Sequence, residues 1–91
     1  MELIKLMNNA HVLIKDNNRY LFSYETCIAK WNRVSNDLFI IKNWDTYSNT
    51  TNKHLYQFIR DYTCYGIHNK KDLVNLINNK KETNVMLVEK L

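Results

Sequence analysis

Proline is absent from this 91-residue chain, and glycine occurs once, at Gly66. Glycine-rich phosphate loops and dinucleotide fingerprints need glycines at fixed spacing for tight turns and close backbone approach, so neither is present. Proline-rich ligand segments and collagen-like repeats fall on the same count. Two cysteines, Cys27 and Cys64, allow at most one disulfide. Residues 1–7 do not read as an export signal, because Glu2 and Lys5 interrupt the apolar residues. Both thiols are therefore expected to be reduced, and the protein cytoplasmic. No apolar run approaches the ~20 residues that cross a bilayer, so no membrane association is expected.

What is present is a polar set dominated by 14 Asn and 10 Lys, with 8 Ile among the apolar residues. All three have AT-rich codons, and the bias speaks of the genome more than of the fold. Apolar residues make up 45% and aromatics 12%, too many for a disordered chain. Thirteen Lys and Arg against nine Asp and Glu give a net charge of +4, a mildly basic balance short of a nucleic-acid-coating tail. No linker or repeat is visible, so residues 1–91 read as one domain. A chain of this size buries only about 60–65% of its unfolded surface, enough for one core but not for a deep cofactor pocket with a lid. No cofactor is expected.

The two halves differ in period. His11–Lys15, Tyr20–Tyr24, Cys27–Arg33 and Leu38–Lys42 are β-prone runs. They are separated by Asp16-Asn17-Asn18-Arg19, Glu25-Thr26 and Val34-Ser35-Asn36-Asp37, which carry turn chemistry. Tyr20, Phe22 and Tyr24 alternate onto one face, and so do Cys27, Ala29 and Trp31. Short connections favour an antiparallel meander. After Tyr47 the cluster Ser48-Asn49-Thr50-Thr51 offers helix caps. Leu55, Phe58, Ile59 and Tyr62 then follow helical spacing, with Lys53, His54, Gln57, Arg60 and Asp61 on the other side. Gly66 is placed to end this helix and Asn69 to cap a second, shorter one. The expectation is an α+β domain: a small antiparallel sheet of three to five strands on one amphipathic helix, about 50–65, with a second helix at about 70–79. Residues 2–7 fit a short strand or one helical turn, and 84–88 a last strand or an extended arm.

Catalytic and metal signals are thin. Cys64 and His68, with Asp61 to orient the base, are too few and too loosely spaced for a thiolate nucleophile. Cys27, Cys64, His54 and His68 lack the paired short spacings of structural zinc. Ser23 and Ser48 have no glycine elbow. The chain is not expected to be an enzyme or to hold a metal. Two binding readings remain. Lys53, Arg60, Lys70, Lys71, Lys80 and Lys81, with Tyr20, Tyr24, Tyr47 and the tryptophans as stacking planes, would make a nucleic-acid surface. Alternatively Tyr24, Trp31, Trp44, Tyr47, Lys53, His54 and Arg60 form an aromatic and basic patch for a protein partner. A free sheet edge also leaves room for a homodimer.

Phe22-Ser23-Tyr24-Glu25-Thr26-Cys27-Ile28-Ala29, then Trp44, then Tyr47-Ser48-Asn49-Thr50-Thr51-Asn52-Lys53-His54-Leu55 and Phe58, resembles a family of small phage proteins. Its pattern is roughly S-Y-x-T-x-[VI]-A followed by Y-S-x-T-T-x-K-H and a phenylalanine, and the likeness covers residues 20–60. Many members carry proline where this chain has Cys27, which argues against a general role for that thiol. The shared residues have a packing explanation, with His54 reaching the Tyr24 or Thr26 region and fastening helix to sheet. The other explanation is one partner-binding surface made of Tyr24, Tyr47, Lys53 and His54. The resemblance implies a phage accessory protein acting in the host cytoplasm. The expected function is a non-enzymatic antagonist of a host defence or nuclease complex, anti-CRISPR-like, that covers a functional surface of a protein or ribonucleoprotein. The alternative is a small basic nucleic-acid-binding accessory protein of the phage.

Overall fold

The structure, a computed structural model, describes residues 1–79 and 83–91. Five strands run as a meander: β1 (Glu2–Met7), β2 (Ala10–Lys15), β3 (Asn18–Ser23), β4 (Thr26–Asn32) and β5 (Leu38–Ile41). The chain then makes a short 3-10 turn at Trp44–Thr46 and two helices, α1 (Asn49–Tyr62) and α2 (Lys70–Asn78). It returns as β6 (Val85–Val88). The strands lie in sequence order, β1 to β5 antiparallel and β6 parallel to β5. A parallel neighbour needs a long crossover, and the two helices provide it.

The α+β expectation stands, with a larger and mixed sheet. The described residues form six strands rather than three to five, because both uncertain ends join the edges. Residues 2–7 turn onto β2 through Asn8 and Asn9, with Asn9 in the left-handed region at φ 64°, where asparagine is tolerated. Asp16 at φ 56° and Asn36 at φ 63° serve the next turns in the same way. α1 ends about three residues earlier than expected. Thr63 takes extended backbone and its hydroxyl donates to the Ile59 carbonyl, so the helix closes without Gly66, which has no positive φ. Ser48 and Asn69 cap the two helices by accepting from Thr51 N–H and Asp72 N–H.

Register decides which side chains meet. Val12, Leu21, Ala29 and Ile40 stand opposite one another on successive strands, and so do Arg19, Trp31, Leu38 and Val85. All but Arg19 are buried, and they form the inner face. α1 sets Leu55, Phe58 and Ile59 on this face, and α2 adds Leu73. Each such fully buried large apolar side chain contributes ~1.5–3 kcal/mol. A bulge opposite Leu21 and Phe22 leaves Ile28 unpaired, and it too is buried beside Ala29. Among the described residues no helix lies on the opposite face of the sheet.

Arg19 is the charged member of the inner row. Its guanidinium lies 5.3 Å from the Trp31 ring and 5.8 Å from the Tyr62 ring, and Nη1 donates to the Tyr62 carbonyl at 3.0 Å. A cation at the last carbonyls of α1 also meets the negative end of the helix dipole. Arg19→Met keeps the stem and removes the charge. It should cost about 1–3 kcal/mol in urea unfolding, and a loss below measurement would show that the sandwich is only packing.

Candidate functional site

The motif residues meet at one end of the sheet. Ser23 ends β3, the turn Tyr24–Glu25 follows, and the first turn of α1 lies against both. The Ser23 Oγ is 2.8 Å from His54 Nδ1 and 3.0 Å from Thr51 Oγ1, and Ser48 Oγ is 3.3 Å from Thr51 Oγ1. The backbone of Asn8 also hydrogen-bonds the His54 ring. Ser23 and Ser48 both donate to the Thr51 hydroxyl oxygen, and Ser23 Oγ also meets the His54 ring. Tyr24 N–H donates to the Asn9 carbonyl at 2.6 Å, which ties the two neighbouring turns together.

A serine hydroxyl on an imidazole is the first half of a nucleophile and its base. Here the pair is closed to substrate, because Ser23 is 3% and His54 1% exposed. Among the described residues no carboxylate hydrogen-bonds the His54 ring, as one would in a triad. Burial also pushes the His54 pKa below its ordinary value. The arrangement fastens the end of β3 to the first turn of α1. Among the described residues no group of three or more His, Cys, Asp or Glu is placed to hold a metal. Cys27 is half-buried, with burial raising its pKa, while Cys64 is exposed.

The residues expected to touch a partner are scattered. Trp31 and Trp44 are 7% and 5% exposed, so they form no surface patch. Trp31 belongs to the inner row under Arg19, and Trp44 joins the core from its 3-10 turn. His54 is likewise a core residue, although the helical pattern set it on the outer side of α1. Its expected reach is to the Tyr24 or Thr26 region, and its side-chain hydrogen-bond partner is instead Ser23, at the end of β3. Tyr24 is 53% exposed, 6.0 Å from the His54 ring by centroids. With the half-buried Tyr47 it lines a small cleft that also involves Thr26 and Ile28. Lys53, Lys70 and Lys71 are exposed on the helical side. Arg60 is held by Gln57 and by Asp61, 3.7 Å away. Lys80 and Lys81 lie outside the described residues.

A second surface was not singled out by the sequence reading. On the uncovered face, Leu3, Leu13, Tyr20, Lys30, Phe39 and Met86 stand opposite one another across all six strands. Lys5, His11, Phe22 and Cys27 form the next row. Lys30 Nζ sits 5.6 Å from the Tyr20 ring and 5.7 Å from the Phe39 ring. The signal was the alternation of Tyr20 and Phe22 against Leu21 and Ser23. It showed two faces without showing which one the helices cover.

A family model described as a family of unknown function, DUF8033, matches residues 1–75. The chain belongs to this family. The DUF8033 match spans β1 to β5, α1 and most of α2, and it stops before β6. It therefore includes both the fastened end and most of the open face. Neither the curated proteins nor the solved structures gave a match.

Two measurements check the fastening. Ser23→Ala leaves His54 Nδ1 and the Thr51 hydroxyl short of a partner and should cost about 1–3 kcal/mol in denaturant unfolding. For His54, the folded pKa is depressed, so below the ordinary value of 6.5 the unfolded chain takes up the proton first. Stability should therefore fall as pH drops through that value and level off below the folded pKa. His54→Asn should remove this part of the pH dependence of Tm, and an unchanged profile would refute the assignment.

Proposed function

We propose that this chain is a non-enzymatic binding protein that lays the open face of its sheet over a partner. One observation carries the reading: a row of apolar, aromatic and basic side chains crosses six strands on the face that no helix covers. Leu13, Tyr20, Phe22 and Phe39 are half-buried there, and Leu3 and Met86 are 64% and 39% exposed. Contiguous apolar surface on a small domain is a marker of interaction sites. The polar groups that resemble catalytic ones are sealed and already paired. The likeness to small phage proteins puts an antagonist of a host defence or nuclease complex within this reading, acting in the host cytoplasm and covering a functional surface.

The test is capture from host lysate by tagged protein. Leu13→Thr and Phe22→Thr keep strand propensity while removing apolar area from the face. Both should fold, with unfolding free energies lowered by no more than about 1–2 kcal/mol, and both should lose the captured partner. Lys53→Ala and Lys70→Ala on the helical side should keep it. A partner retained equally by all four variants would sink the reading.

A second contact region is favoured by Tyr24. It is exposed, and it holds a left-handed φ of 57° that glycine would adopt at less cost. Backbone strain of this kind gathers at sites of function. If the ring is kept for a partner, Tyr24→Gly should abolish capture while changing stability by less than about 1 kcal/mol. Normal capture by this variant would confine binding to the face.

A further inference from the structure

We infer that the partner of the open face is single-stranded nucleic acid, with bases stacked on Tyr20, Phe39 and Phe22 and phosphates met by Lys30 and its basic neighbours. The inference rests on the binding-face reading above and names the chemistry of its ligand. Charge is the first argument. Lys5, His11, Lys15 and Lys30 occupy outward strand positions, and no Asp or Glu occupies any such position among the described strands. Glu89, just beyond β6, is held by Lys42 at 3.6 Å. A face that is apolar and one-signed suits a polyanion with flat apolar parts. It does not suit a second copy, since face-to-face packing would set these lysines against each other.

Placement is the second argument. Tyr20, Lys30 and Phe39 are direct neighbours on three adjacent strands, with the ammonium between the two rings. The rings are two strand spacings apart, about 10 Å, and Phe22 lies about 7 Å along β3 from Tyr20. A phosphate can draw Lys30 away from the rings, because an exposed cation–π contact is weak. Two ring faces then open for bases on either side of the neutralised phosphate. Lys90 and Val88 border the same place and make it a groove of about 350 Å³. A duplex keeps its bases stacked inside and cannot lay them on a sheet, whereas a single strand can.

The experiment is fluorescence anisotropy of the full chain with labelled oligo-dT, oligo-U and a mixed-sequence duplex, at low and at physiological salt. Both single strands should bind, the duplex at least about tenfold more weakly. Four lysines on the path should give a log–log salt slope of about −2 to −3. Tyr20→Leu and Phe39→Leu keep the face apolar but remove the π surface. Each should weaken binding about fivefold or more. Lys30→Gln, which leaves the core untouched, should weaken binding and flatten the slope by about 0.7. Equal binding of the duplex, leucine variants that bind like the parent, or no binding at low salt would each overturn the inference. Nuclease treatment of the lysate separates the two levels. Face-dependent capture that survives nuclease, with no oligonucleotide binding, rejects nucleic acid and keeps a protein-binding face. Loss of both rejects the face.

Discussion

Two helices can cover one face of a six-stranded sheet and not both. In this chain α1 and α2 occupy the inner side, where Val12, Leu21, Ala29, Leu38 and Ile40 are fully buried under Leu55, Phe58, Ile59 and Leu73. A sheet facing water on its second side usually alternates apolar with polar residues. Here the second side reads Leu3, Leu13, Tyr20, Phe22 and Phe39, with lysine, histidine or asparagine between them. Cross-strand aromatic and cation–π pairs give this side some stability of its own. They do not remove it from water, and that imbalance is the main clue to what the domain does.

The position of α1 over the sheet is fixed at its two ends by different chemistry. At the N-terminal end a line of hydroxyls from Ser48 through Thr51 and Ser23 reaches His54, and the ring reaches on to Asn8. At the C-terminal end Arg19 bonds the Tyr62 carbonyl between two aromatic rings. Both devices link residues more than twenty positions apart. A buried polar network is stabilising only when every member has a partner. This one joins the hydroxyls of Ser48, Thr51 and Ser23 to the His54 ring between sheet and helix.

Much of the fold was legible because local signals agreed with it. Turn residues at Asp16, Asn17 and Asn36, caps at Ser48 and Asn69, and the 3.6-residue spacing of Leu55, Phe58 and Ile59 each had one physical reading. The ends of the chain were less legible. The pattern Leu3, Ile4, Leu6, Met7 has no single period, and its strand state depends on a partner, β2, lying beside it. β6 is parallel, so nothing near it in sequence announces its pairing. The site was legible in its residues and not in their depth. His54 sits on a helix side crowded with Lys53, Gln57 and Asp61, and only the Ser23 hydroxyl across 31 positions accounts for its burial. Trp31 alternates with Lys30, and periodicity alone does not say which of the two faces the helices.

Charge is distributed differently over the two sides of the domain. The net charge of +4 is modest, and on a uniform surface it would select nothing. It is not uniform. On the helical side Arg60 faces Asp61, and Lys70 and Lys71 precede Asp72 in the same helix. On the open face the bases stand without acids, set among rings and aliphatic side chains. Basic groups that have acidic neighbours are the ordinary solvated surface of a helix. Basic groups that share a face with rings, aliphatic side chains and neutral amides have no acid of the domain to pair with. That asymmetry is what supports the proposal of the sheet as the binding surface, in place of the patch of Tyr24, Trp31, Trp44, Tyr47, Lys53, His54 and Arg60 expected first and of the helical lysines expected as its alternative.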